Sequence, residues 1–63
     1  MKLVFQCRVT QAEAVVLKRE PGQMEHLKIL MAVSLEAAQR ISDKPFVGEI
    51  VVDDTNEIIG TVP

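Results

Sequence analysis

Apolar and polar positions alternate along residues 2–10. Leu3, Phe5, Cys7 and Val9 share one side; Lys2, Gln6, Arg8 and Thr10 share the other, with Val4 out of phase. A period of two predicts a half-buried strand. The alternation returns in mid-chain, where Leu27, Ile29, Met31 and Val33 oppose His26, Lys28, Leu30, Ala32 and Ser34. At Ser34 the period changes. Leu35, Ala38 and Ile41 fall at helical spacing, and the Ser34 hydroxyl is placed to accept from a first-turn amide. Residues 24–43 therefore read as a strand handing over directly to a short helix at the centre of the fold.

Residues 10–20 carry two conflicting signals. Thr10 and Glu13 have the spacing of a capping box, which would open a helix through Arg19. Val15, Val16 and Leu17 instead favour a strand leading into Glu20-Pro21-Gly22-Gln23, the preferred chemistry of a type II turn. In a hairpin built on that turn, Val16 lies opposite Leu27, Ala14 opposite Ile29 and Lys18 opposite Glu25. One apolar face and one charge pair result, as cross-strand pairing requires. The hairpin is the preferred reading.

Past the helix, Ser42-Asp43-Lys44-Pro45 is a stop, because proline disfavours helical geometry in the residue before it. Residues 46–53 form the next expected strand, with Val47, Ile50, Val51 and Val52 placing apolar groups on both faces. Asp53-Asp54-Thr55-Asn56 is turn chemistry, with Asn56 suited to a left-handed conformation. Residues 57–62 close the chain as a strand in which Gly60 marks a bulge or a close backbone approach.

The expected order is strand, strand, strand, helix, strand, strand. It matches a mainly β (α+β) fold: a small five-stranded OB-like barrel with its helix between the third and fourth strands. An SH3-like barrel or a strand-exchanged dimer fits the same order. The chain of 63 residues holds a single domain. Domains of this size bury only about 60 % of the surface their unfolded chain exposes, and usually add disulfides, a metal or oligomerisation. Cys7 is the sole cysteine and His26 the sole histidine, so neither an internal disulfide nor an ordinary zinc ligand set is available within one chain. With 48 % hydrophobic residues, the expected route to stability is a homo-oligomer.

Charge narrows the partners. Seven Lys and Arg against nine Asp and Glu give a net charge of −2, which argues against binding nucleic acid through overall charge. No apolar run approaches the roughly 18 residues of a membrane span, and the opening residues are too short for a secretory signal. A soluble, reducing, cytoplasmic setting is expected.

Candidate chemistry is sparse. A nucleophilic Cys7 would need a base, for which only His26 is available, so Cys7 reads as a buried structural residue. His26 reads as a half-exposed strand position. Glu49, Asp53, Asp54 and Glu57 gather around the last hairpin without the spacing of a calcium loop, and read as a solvated acidic turn. Arg8, Lys18, Arg19 and Lys28 all fall in the first three expected strands, where an OB-fold binds single-stranded nucleic acid. Such sites stack bases on aromatic rings, and this chain has only Phe5, which reads as core, and Phe46. Glu36 and Arg40 are spaced as an ordinary helix-surface pair.

Ser34-Leu35-Glu36-Ala37-Ala38, Phe46-Val47-Gly48-Glu49 and Val51-Val52-Asp53 together resemble the C-terminal half of small uncharacterised proteins encoded by tailed bacteriophages. The resemblance carries over no functional residue; it implies a phage-type accessory protein working in the host cytoplasm. The expected function is that of a non-enzymatic, self-associating protein-interaction module without cofactor or metal. Its contacts are expected at strand edges or at the apolar Val47, Val51 and Ile59. The alternative is an OB-like binder of single-stranded nucleic acid through Arg8, Lys18, Arg19 and Lys28.

Overall fold

The structure, a computed structural model, describes residues 2–63. Strand β1 (Leu3–Val9) is followed by helix α1 (Gln11–Arg19), helix α2 (Pro21–Gln39), strand β2 (Phe46–Val52) and strand β3 (Ile58–Val62). The sheet order is β1-β2-β3, with β1 parallel to β2 and β3 antiparallel to it. This is a small α+β fold with an open three-stranded sheet. It corrects the expected OB-like or SH3-like five-stranded barrel.

The correction comes from residues 10–33, where two expected strands are helices. At Thr10 the capping box forms in full. Its hydroxyl accepts from the Glu13 N–H at 3.1 Å, and its own N–H donates to the Glu13 carboxylate at 2.8 Å. Two otherwise orphaned amides are thereby satisfied. Lys18 and Arg19 in the last turn complement the negative end of the helix dipole.

Pro21 does not occupy a turn. It sits in the first turn of α2, where its missing N–H is no loss. Its ring still disfavours helical geometry in Glu20, which adopts φ −122° and ψ 89°. One non-helical residue therefore separates two helices. Lys18, expected opposite Glu25, instead meets Glu57 at 3.3 Å. Ser34 does not start a helix; it lies inside α2 and its hydroxyl donates to the Leu30 carbonyl at 3.1 Å.

Parallel strands need a long crossover, and α1 and α2 supply it. The two helices cover one side of the sheet. Val9, Ala14, Ile50 and Val52 form the buried cluster, with Cys7, Leu17, Met24, Leu27, Met31 and Ile59 packed against it. A Cβ on Gly48 would stand 2.9 Å from Met31 Cε and 3.0 Å from Leu35 Cδ1. One on Gly60 would stand 3.2 Å from both Ile50 Cδ1 and Lys28 Cε. These glycines let α2 settle closely on β2 and β3. Gly60 also adjoins the bulge, where pairing steps from Ile50↔Gly60 to Val51↔Ile58.

Gln39 organises the connection from α2 to β2. Its amide donates to the carbonyls of Ser42 (3.3 Å) and Lys44 (2.8 Å) and accepts from the Phe46 N–H (3.0 Å). Asn56 takes the left-handed conformation expected of it, φ 59°.

Thr10→Ala should lower unfolding free energy by about 1 kcal/mol in urea titrations. The hydrogen bonds from the Thr10 backbone and hydroxyl hold the Glu13 carboxyl below its ordinary value of 4.5. A depressed folded-state value gives stability that is complete above the ordinary value and is lost as pH falls through the folded one. Glu13→Gln, which keeps the box but cannot titrate, should therefore flatten the acid-side loss of stability.

Gly48→Ala should be tolerated, because the atoms it meets end flexible side chains. Gly48→Val should cost about 1–3 kcal/mol in the same titration.

Candidate functional site

The helices cover the sheet unevenly, and this creates the molecule's main concave feature. Two adjoining clefts run beside β1. One, of about 430 Å³, is walled by Cys7, Val16, Leu17, His26, Leu27 and Leu30, among others. The second, of about 290 Å³, is walled by Phe5, Met31, Ser34 and Leu35 and shares Cys7 and Leu30 with the first. Together they make an apolar trough along the outer edge of the sheet. Phe5 stands at its mouth, 48 % exposed, with its ring 5.0 Å from that of Phe46.

Cys7 and His26 face the same cleft, an approach the sequence did not reveal. Cys7 is half-buried and His26 exposed. No hydrogen bond joins them among the described residues, so the base contact that makes a cysteine nucleophilic is absent. Glu13, on the wall of that cleft, is engaged by Thr10. The arrangement is a half-buried thiol in an apolar trough.

The acidic residues are spread among separate partners. Asp53 accepts from Arg8 Nε at 2.7 Å, Glu57 from Lys18 at 3.3 Å and Glu49 from Gln6 at 3.2 Å. Among the described residues no three His, Cys, Asp or Glu side chains converge as a metal site needs. Arg8 also donates to the carbonyl of Asp53, to Asn56 Oδ1 and to Gln6 Oε1, so it ties the β2–β3 turn back to β1.

The four cations expected of a nucleic-acid binder stand on different elements. Arg8 lies on β1, Lys18 and Arg19 in the last turn of α1, and Lys28 on α2 with its stem over Gly60. Arg8 and Lys18 are each occupied by an acid of the last hairpin. The expected second and third strands are helical.

Val47 and Val51 lie on the sheet face away from the helices, since Gly48 between them faces Met31 and Leu35. Val51 is 1 % exposed beside its neighbours Arg8 and Ile58; Val47 is half-buried. Ile59 packs against the helix-side core.

Uncovered apolar groups lie elsewhere, with Ile41 in the loop after α2 the most exposed at 90 %. Leu3, Val4 and Phe5 are exposed on β1, and Ile29, Leu30 and Val33 on the outer side of α2. Their signal was present in the sequence: a helix over residues 21–39 is apolar almost all round, and such a helix is covered on more than one side.

No helix among the described residues is long and apolar enough to cross a membrane. No protein-family model, curated protein or solved structure matches the chain.

A thiol-reactive maleimide should label Cys7 at the same rate in the parent and in His26→Ala at neutral pH. A slower variant would reveal a histidine that activates the thiol.

Proposed function

We propose that this chain is a small non-enzymatic module that self-associates and binds another protein, as a phage-type accessory or regulatory protein would. One observation supports the reading best: the apolar surface left without cover. Only six apolar side chains are buried among the described residues, while Leu3, Val4, Phe5, Ile29, Leu30 and Val33 are all exposed. Exposed apolar groups on an edge strand and on a helix, alongside others at Val15, Val16, Ile41 and Ile58, are the surface through which such a module would associate. A reducing, cytoplasmic setting accords with the single free cysteine.

Light scattering coupled to size exclusion tests the reading, at tens of micromolar protein, with and without a short single-stranded DNA at low salt. A discrete oligomer that ignores the DNA is the expected result. A monomer with a cooperative melt at high micromolar concentration would overturn self-association. A species that shifts with DNA and shifts back as salt rises would instead favour single-strand binding through Arg8, Lys18, Arg19 and Lys28.

A further inference from the structure

Within the proposed self-association, on which this inference rests, the free edge of β1 selects a specific arrangement. The Leu3 N–H donates to the Pro45 carbonyl at 2.9 Å, and the Asp53 N–H donates to the Val9 carbonyl at 2.8 Å. In an extended strand the N–H and C=O of one residue point to the same side, and successive residues alternate. Leu3, Phe5, Cys7 and Val9 therefore direct their backbone groups to β2. Val4, Gln6 and Arg8 direct theirs outward, where the sheet order β1-β2-β3 provides no further strand.

An antiparallel pair between identical strands has a two-fold axis, and the outward groups restrict where it can lie. Registers that place an odd residue opposite an even one mismatch the backbone groups and the faces together. Among the remaining registers, an axis at Gln6 pairs the whole of Leu3–Val9 with its copy, because Gln6 is the middle residue. An axis at Phe5 shortens the pairing and sets Lys2 opposite the partner's Arg8, a like-charge pair that is destabilising.

We propose that a second copy of this chain adds antiparallel to β1 about a two-fold axis at Gln6. The sheet then continues β3-β2-β1 into β1-β2-β3 of the partner. Gln6 faces the partner's Gln6, and Val4 the partner's Arg8, in the hydrogen-bonded pairs. Leu3 faces the partner's Val9, and Phe5 the partner's Cys7, in the non-hydrogen-bonded pairs on the helix side. Every outward N–H and C=O of the strand finds a partner, and apolar groups meet apolar groups where the two troughs join. The edge that would otherwise recruit any extended chain is closed.

The test uses the full chain and the native Cys7. Phe5→Cys places a thiol opposite the partner's Cys7, with Cα atoms about 4.5 Å apart in a non-hydrogen-bonded pair, within disulfide range. Under mild oxidation at low micromolar concentration it should become a covalent dimer. Leu3→Cys, whose thiol faces the partner's Val9, should not. Gln6→Pro removes an outward N–H that the monomer does not use, a substitution edge strands accept. It should weaken the dimer roughly ten-fold or more while the chain still melts cooperatively.

A dimer in scattering that Leu3→Cys links in place of Phe5→Cys overturns the Gln6 axis. A dimer that neither variant links, or that Gln6→Pro leaves intact, overturns the β1 contact and leaves self-association standing. A protein monomeric in scattering overturns both.

Discussion

Parallel strands cannot be joined by a tight turn, and β1 runs parallel to β2 over their whole length, from Leu3↔Phe46 to Val9↔Val52. The chain must leave the end of β1, cross a face of the sheet and return to the start of β2. Helices α1 and α2 are that crossing. Because both lie on one side, the sheet has one covered face and one open face. Ile50 and Val52 meet the helices, and Val51 is shielded on the opposite face by sheet neighbours. The same topology makes β2 the central strand and leaves β1 and β3 as edges.

This layout limits the core. A folded chain of this size exposes about 4,000 Å²; this one exposes 4487 Å² and has Cα extents of 35 × 23 × 13 Å. A flat two-layer body cannot enclose a chain that is nearly half apolar. No residue of α2 is fully buried, although the helix is 19 residues long. Uncovered apolar side chains therefore remain on α2 and along β1, with others at Val15, Val16, Ile41 and Ile58. Polar chemistry on the open face is spent internally: the Arg8 guanidinium, bonded to Asp53 and Asn56, holds the β2–β3 turn against β1.

Legibility followed the locality of each signal. β1, β2 and β3 were readable within a residue or two, because each combines alternation or β-branched enrichment with turn residues at its ends. Asn56 and Gly60 behaved as their chemistry requires. The role of Gln39 had no sequence signal, since its three hydrogen bonds exist only once the loop over residues 40–45 has closed. The shared cleft of Cys7 and His26 was equally hidden: the two residues are brought together by the crossover and not by any spacing. Phe5, read as core from its alternation, is half exposed because α2 lies chiefly over β2 and β3 and leaves β1 thinly covered.

What the sequence determined by itself was therefore the strands at its two ends and the punctuation at Pro45 and Asn56, each decided by interactions within a few residues. The Thr10–Glu13 box is equally local, but it competed with a hairpin signal at Val15, Val16, Leu17 and Pro21-Gly22 that sequence reasoning favoured. The tertiary structure alone decided residues 21–33. Leu27, Ile29, Met31 and Val33 satisfy a strand period, while Met24, Leu27, Met31 and Leu35 satisfy a helical one, and a segment so evenly apolar accepts either. The choice was made by a non-local demand. Once β1 and β2 pair in parallel, the chain between them must form a layer over Ile50 and Val52 with its backbone hydrogen bonds satisfied internally, and a helix is the structure that does so.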